Sequence, residues 1–141
     1  MVMTDFKDFP RTGRILGIDW GTKRVGTAVS SPDWDFVFPR TIIPGETSIE
    51  QIKKLIESES IVGVVLGLPL YPDGTDSNTT RNVREFEINL AKEISIPIIF
   101  IEENLTSVEA SERIKNKDLD SESAAIILEN GIAMIKRTHN V

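Results

Sequence analysis

The stretch that decides the fold is Arg14–Ser30, RILGIDWGTKRVGTAVS. Ile15 to Ile18 reads as a buried strand and Val25 to Val29 as a second, and the turn around Gly21 is short enough to make the pair a hairpin. Asp19 then stands inside or at the end of a core strand. An ionised carboxylate in an apolar setting costs on the order of several kcal/mol unless a partner offsets its desolvation. Lys23 and Arg24 are close in sequence, a bound metal ion is another answer, and an Asp that only satisfies turn backbone is the plainest one.

Outward from this hairpin, 141 residues are enough for one domain that buries about two thirds of the surface of its unfolded chain, and a second domain does not fit. Hydrophobic residues at 40% and charged residues at 27% match an ordinary soluble globular protein. The longest apolar run, Ile61 to Leu70, is interrupted by Gly63, Gly67 and Pro69, so no membrane span is expected. Residues 1–13 mix charges with two Phe and lack a signal-peptide core, which suggests a flexible leader before a single domain over 14–138. The absence of cysteine excludes disulfides, thiolate metal sites and a Cys nucleophile, and is compatible with a cytoplasmic location. His139 is the sole histidine and lies near the C-terminus, which excludes a His-based triad or zinc site. The net charge of −6 argues against sequence-blind binding to nucleic acid, although Lys23, Arg24, Arg40, Arg81, Arg84, Lys115 and Lys117 flank the segments of interest.

After the hairpin, Asp35 to Ile43 is extended and aromatic, with Pro39 marking an edge or a break, so three antiparallel strands open the fold. Thr47 with Glu50 has the form of a capping box, followed by the stripe Ile49, Ile52, Leu55 and Ile56 of a helix ending near Ser58. Ile61 to Gly67 is apolar on both faces, the pattern of a central parallel strand. Leu68 to Asn78 forms a polar loop too long for a plain connector. A helix over about 79–94 and a buried strand at Ile96 to Ile101 complete a right-handed crossover. Thr106 with Glu109 opens a short helix to about Lys115, residues 116–119 break it, and Asp120 with Ser121 starts a last helix to about Lys136, weakened in its middle by Gly131.

Three acidic places fall at strand ends or helix starts, where rigid elements aim side chains without filling the core: Asp19, Glu102 or Glu103, and Asp120. Carboxylates converging from separate elements suit Mg²⁺ or Mn²⁺, and paired ions of this kind support in-line phosphoryl displacement without histidine, cysteine or an organic cofactor. The plainer alternatives are an N-cap at Asp120 and a solvated strand end at Glu102 and Glu103.

GIDWGTKRVGTAVS, VVLGLPLYPDGT, IEENLTSVEA and LDSESAAIIL, in that order and at those separations, resemble the YqgF (RuvX) family over about Arg14 to Lys136. That family comprises small ribonuclease H-like proteins described as Holliday-junction resolvase-like and as nucleases maturing the 5′ end of pre-16S rRNA. The resemblance implies an α/β ribonuclease H-like fold, with a five-stranded mixed sheet of three antiparallel and then two parallel strands and helices on both faces. It also implies that Asp19, Glu103 and Asp120 are the acidic triad, as catalytic residues and ligands of Mg²⁺ or Mn²⁺, with Thr106 and the loop of Gly67, Leu68, Pro69, Asp73 and Gly74 in place. Glu102-Glu103-Asn104 departs from the family's Asp-Glu-Arg, so Asn104 brings no positive charge beside the triad, which bears on substrate affinity more than on metal binding.

The expected function is a metal-dependent nuclease in 5′-end processing of pre-16S rRNA, with Lys23, Arg24, Arg81 and Arg84 steering the nucleic-acid backbone. Resolution of branched DNA is the alternative, which would call for two sites and hence a homodimer rather than a monomer. From other classes come a non-catalytic RNA-binding or ribosome-assembly module touching ribosomal particles, and ATP binding by the hairpin, whose sequence is similar to the phosphate-binding hairpin of actin-like and sugar-kinase ATPases. No membrane partner is expected.

Overall fold

The computed structural model describes residues 8–104 and 120–139, with the backbone alone at Asn104, Asp120, Ser121 and His139. Strand β1 (Ile15–Asp19) pairs antiparallel with β2 (Arg24–Ser30), Leu16 opposite Val29 and Asp19 opposite Gly26, as the hairpin reading requires. Where one broken strand was expected over 35–43, two short ones form, β3 (Val37–Pro39) and β4 (Ile43–Pro44), both antiparallel to β2. Pro39 has no N–H with which to continue the ladder. The chain between them is held by the Arg40 N–H donating to the Thr27 carbonyl at 2.8 Å and by the Thr27 hydroxyl donating to the Thr41 carbonyl at 2.6 Å.

Strand β5 (Gly63–Leu70) lies parallel to β1 on its other side, and β6 (Ile98–Asn104) lies parallel to β5. The sheet order is β3-β2-β1-β5-β6 with β4 beside β2, so six strands replace the expected five. Alternation divides the core. Leu16, Ile18, Val64 and Leu66 pack with α1 (Ser48–Ser58) and α2 (Asn78–Glu93) on one face, while Ile15, Val65, Ile99 and Ile101 meet α3 (Asp120–His139) on the other. Every residue of β5 is buried, which explains its unbroken apolar run.

Close contact fixes α3 on the sheet. A Cβ on Gly17 would stand 2.7 Å from Leu128 Cβ and 2.8 Å from the Ala124 carbonyl oxygen. Gly131, expected only to weaken the helix, presses on Val65, whose Cγ1 would lie 2.7 Å from an added Cβ. The helix runs on to His139 instead of ending near Lys136. Of the expected leader, residues 8–13 are anchored: Phe9 is buried against Gly63, and Trp34 Nε1 donates to the Gly13 carbonyl at 2.7 Å.

The capping box expected at Thr47 is absent, because a 3₁₀ turn over Gly45–Thr47 leads directly into α1 and leaves Thr47 outside the extended conformation that a side-chain cap needs. The reciprocal cap belongs to α2, where the Ser77 hydroxyl accepts from the Thr80 N–H and the Thr80 hydroxyl accepts from the Ser77 N–H. The expected long loop is short and ordered: β5 runs to Leu70, and the Tyr71 N–H donates to Thr75 across a turn in which Asp73 accepts from the Thr75 N–H and hydroxyl. Thr106, the helix expected to follow it and the break at 116–119 lie outside the described residues.

Candidate active site

One step beyond the Ile18–Leu66 pair, the parallel register sets Asp19 beside Gly67, and Gly67 is in turn level with Ile101 of β6. Alternation puts Asp19 on the face of Ile15 and Gly17, and Glu103 on the face of Ile99 and Ile101, so both acids share the α3 side. Both are half-buried. Strand β6 extends through Glu103 instead of ending before it, because Leu68, Pro69 and Leu70 continue the ladder with Glu102, Glu103 and Asn104. That extension separates the two neighbouring acids: Glu102 alternates to the other side and is exposed.

Gly67 stands in the sheet between these carboxylates. A Cβ there would lie 2.6 Å from Ile127 Cδ1 and 3.5 Å from the Glu103 carboxyl carbon, so glycine lets Ile127 of α3 pack directly on β5 beside the Glu103 carboxylate. Ile127 meets Gly67, and one turn later Gly131 meets Val65, two residues back along β5. Helix α3 therefore runs antiparallel to β5, and its first turn, opened by the backbone of Asp120, lies toward the same end of the sheet as Asp19 and Glu103. The Asp120 side chain lies outside the described residues, among which no three His, Cys, Asp or Glu side chains converge. The two acids that do share a face offer oxygen donors only, which fits a hard divalent cation and no softer metal.

The four expected backbone contacts fall at this end of the fold. Lys23 and Arg24 occupy the β1–β2 turn and the first residue of β2, Lys23 exposed and Arg24 half-buried. Arg81 and Arg84 are exposed on the first two turns of α2, which starts from the loop after β5. Both have local partners: Arg81 donates to the Asn78 side chain, and Arg84 pairs with Asp76 at 3.3 Å. Such exposed pairs contribute little to stability.

Sequence reasoning missed the clamp that holds this end together. The Thr80 hydroxyl, fully buried, donates to the Pro69 carbonyl and so ties the start of α2 to the end of β5. Ser77 three residues before Thr80 was the available signal, obscured because Thr80 replaces the usual Glu or Gln of a capping box.

The family model described as RuvX, Holliday junction resolvase, matches residues 13–133. A protein of Maridesulfovibrio salexigens named "Putative pre-16S rRNA nuclease" is 39% identical over 132 residues, covering 85% of this chain and 98% of its own. A protein of the same name from Sphingopyxis alaskensis is 33% identical over 153 residues, covering 97% of this chain and 100% of its own. Among solved structures, the Holliday junction resolvase of fowlpox virus superposes with a TM-score of 0.51 at 10% identity, covering 88% of this chain and 99% of that one, a likeness of fold: the sheet is ribonuclease H-like. By the extent of the profile match and the identity to full-length relatives, the chain belongs to the RuvX family.

Proposed function

We propose that the protein is a nuclease that hydrolyses phosphodiester bonds in the 5′-end processing of pre-16S rRNA in the cytoplasm, where ribosomal particles would present the substrate. The observation that carries this reading is the placement of Asp19 and Glu103 on one face at one end of the sheet, with Gly67 in the strand between them. Asp19, Glu103 and Asp120 would hold Mg²⁺ or Mn²⁺, which supplies activation of water and neutralisation of charge on the phosphate. The chain's own contribution is placement. Strands β1 and β6 aim the two carboxylates from rigid backbone, and the missing side chain at Gly67 lets α3 seat closely against the strand between them. Lys23, Arg24, Arg81 and Arg84 hold the flanking phosphates, a task in which Asn104 supplies no charge.

The names of the relatives support precursor rRNA as the substrate. The family's description favours branched DNA as a second reading, which would require a homodimer to cut both strands of a symmetric junction, whereas a monomer serves for RNA. Both are tested together by incubating the protein and its Asp19→Asn variant with Mg²⁺ or Mn²⁺ on a labelled 5′-extended 16S precursor and on a four-way DNA junction. Asp19→Asn is expected to lower cleavage by roughly 10²-fold or more, the loss exceeding that of an outer-shell partner, with an unchanged melting temperature. A variant as fast as the parent would remove Asp19 from the mechanism. Binding of RNA without turnover by the parent would leave a non-catalytic assembly module.

A further inference from the structure

Trp20 follows Asp19 directly, and alternation sends it to the opposite face of the sheet, toward α1 and α2. Its ring lies 6.1 Å from that of Phe86 at an interplanar angle of 41° and lines a cleft of about 420 Å³. Thr22 and the 3₁₀ turn before α1 form one wall, and Asn82, Glu85 and Asn89, one stripe of α2, form the other. Glu46 and Glu50 complete the lining, and no lysine or arginine takes part.

This composition rejects phosphate and suits an uncharged planar group with N–H donors on its edge. The indole offers a stacking surface, and the carboxylate and amide oxygens accept from the edge. Two exposed cations adjoin the lining residues in sequence, Lys23 after Thr22 and Arg81 before Asn82. A strand whose phosphates follow those cations to Asp19 would pass the mouth of the cleft with a base free to enter. Resting on the nuclease reading above, we propose that the cleft takes one unstacked base of the substrate strand, beside the phosphodiester at Asp19, and selects guanine. The N1–H and amino group of guanine form the donor pair that Glu85 accepts bidentately, while Trp20 stacks on its ring.

The test uses short single-stranded RNAs that carry guanine, adenine or an abasic site at one position. They are titrated into the full chain without added divalent cation, and Trp20 quenching is followed against Trp20→Leu, which removes that signal and leaves buried Trp34 as background. Guanine is expected to bind about tenfold more tightly than the abasic site, as one base–aromatic stack provides. Trp20→Leu, measured by competition, should lose that gain. Glu85→Gln, at an exposed helix position that leaves folding untouched, should lose the preference for guanine over adenine but keep the gain over the abasic site. Asp19→Asn should retain the full preference here and fail to cleave when Mg²⁺ is added to the same RNAs. Equal binding of all three RNAs overturns this inference and leaves the nuclease reading standing, whereas no binding of any RNA overturns both. Quenching by an arginine-rich peptide in place of RNA overturns the base site and makes the cleft a dock for a basic protein.

Discussion

Glu87 is the one charged side chain that the described residues bury, at 8% exposure on the inner side of α2. Burial disfavours its carboxylate and raises its pKa above the ordinary glutamate value. The folded state then binds a proton that the unfolded chain has released, so stability falls as pH rises from about 4.3, the unfolded value, to the higher folded one, and the penalty is constant above it. Glu87→Gln removes the charge at nearly the same volume. It is expected to raise Tm at pH 7 by a few degrees, on the order of 2–4 °C, with the difference disappearing near pH 4. A pair of thermal melts at those pH values checks it, and an equal shift at both would assign the gain to packing. Glu87 was not legible in the sequence, since a Glu at that point of a helical pattern reads as a solvated position. Asp19 stands out in the sequence for the opposite reason, because an acid at the end of an apolar strand conflicts with its setting, the local conflict expected of a functional position.

At the level of elements, the strands and helices with strong periodicity appeared where the pattern placed them: β1, β2, β5 and all three described helices. The failures were at ends. The cap signature at Thr47 was outweighed by the 3₁₀ turn that precedes α1, while the box that does form, Ser77 with Thr80, has no Glu or Gln to mark it. The length of β6 depended on its partner, since Glu102 to Asn104 are strand only because Leu68 to Leu70 continue beside them. The clamp at Thr80 gives this dependence an energy. Thr80→Val keeps the shape but leaves the Pro69 carbonyl and the Ser77 N–H without the hydroxyl that pairs them. Leaving such buried groups unpaired costs about 2 kcal/mol, a fall in Tm of roughly 5–10 °C. Thr79→Val, one residue away and exposed, is the control and should lie within about 0.5 kcal/mol of the parent. Equal melting of the two variants would show that the cap contributes nothing.

Over the whole molecule, a chain of net charge −6 has to approach a polyanion, and only the distribution of its charges makes that workable. The hairpin turn and the first turns of α2 bring Lys23, Arg24, Arg81 and Arg84 to the end of the sheet that carries Asp19, a convergence that needs the crossover between β5 and β6 and so could not be read from sequence spacing. Elsewhere positive charge is tied into the scaffold, as where Arg14 and Arg40 both pair with Glu59 at the end of α1. On the proposed function, the cations of this edge are the ones that touch phosphate, and their number is measurable. Each phosphate neutralised on a single strand contributes about −0.7 to the slope of log K against log salt, so four contacts predict a slope of about −3 for RNA binding in the absence of divalent cation. Lys23→Ala should make the slope shallower by about 0.7 and weaken binding by a similar factor for RNAs of any sequence, because a phosphate contact carries no sequence information. Arg14→Ala, at the opposite end of β1, should leave the slope unchanged. A Lys23→Ala slope equal to that of the parent would place the RNA backbone on another face, and would separate the acidic site at Asp19 and Glu103 from the cations assigned to serve it.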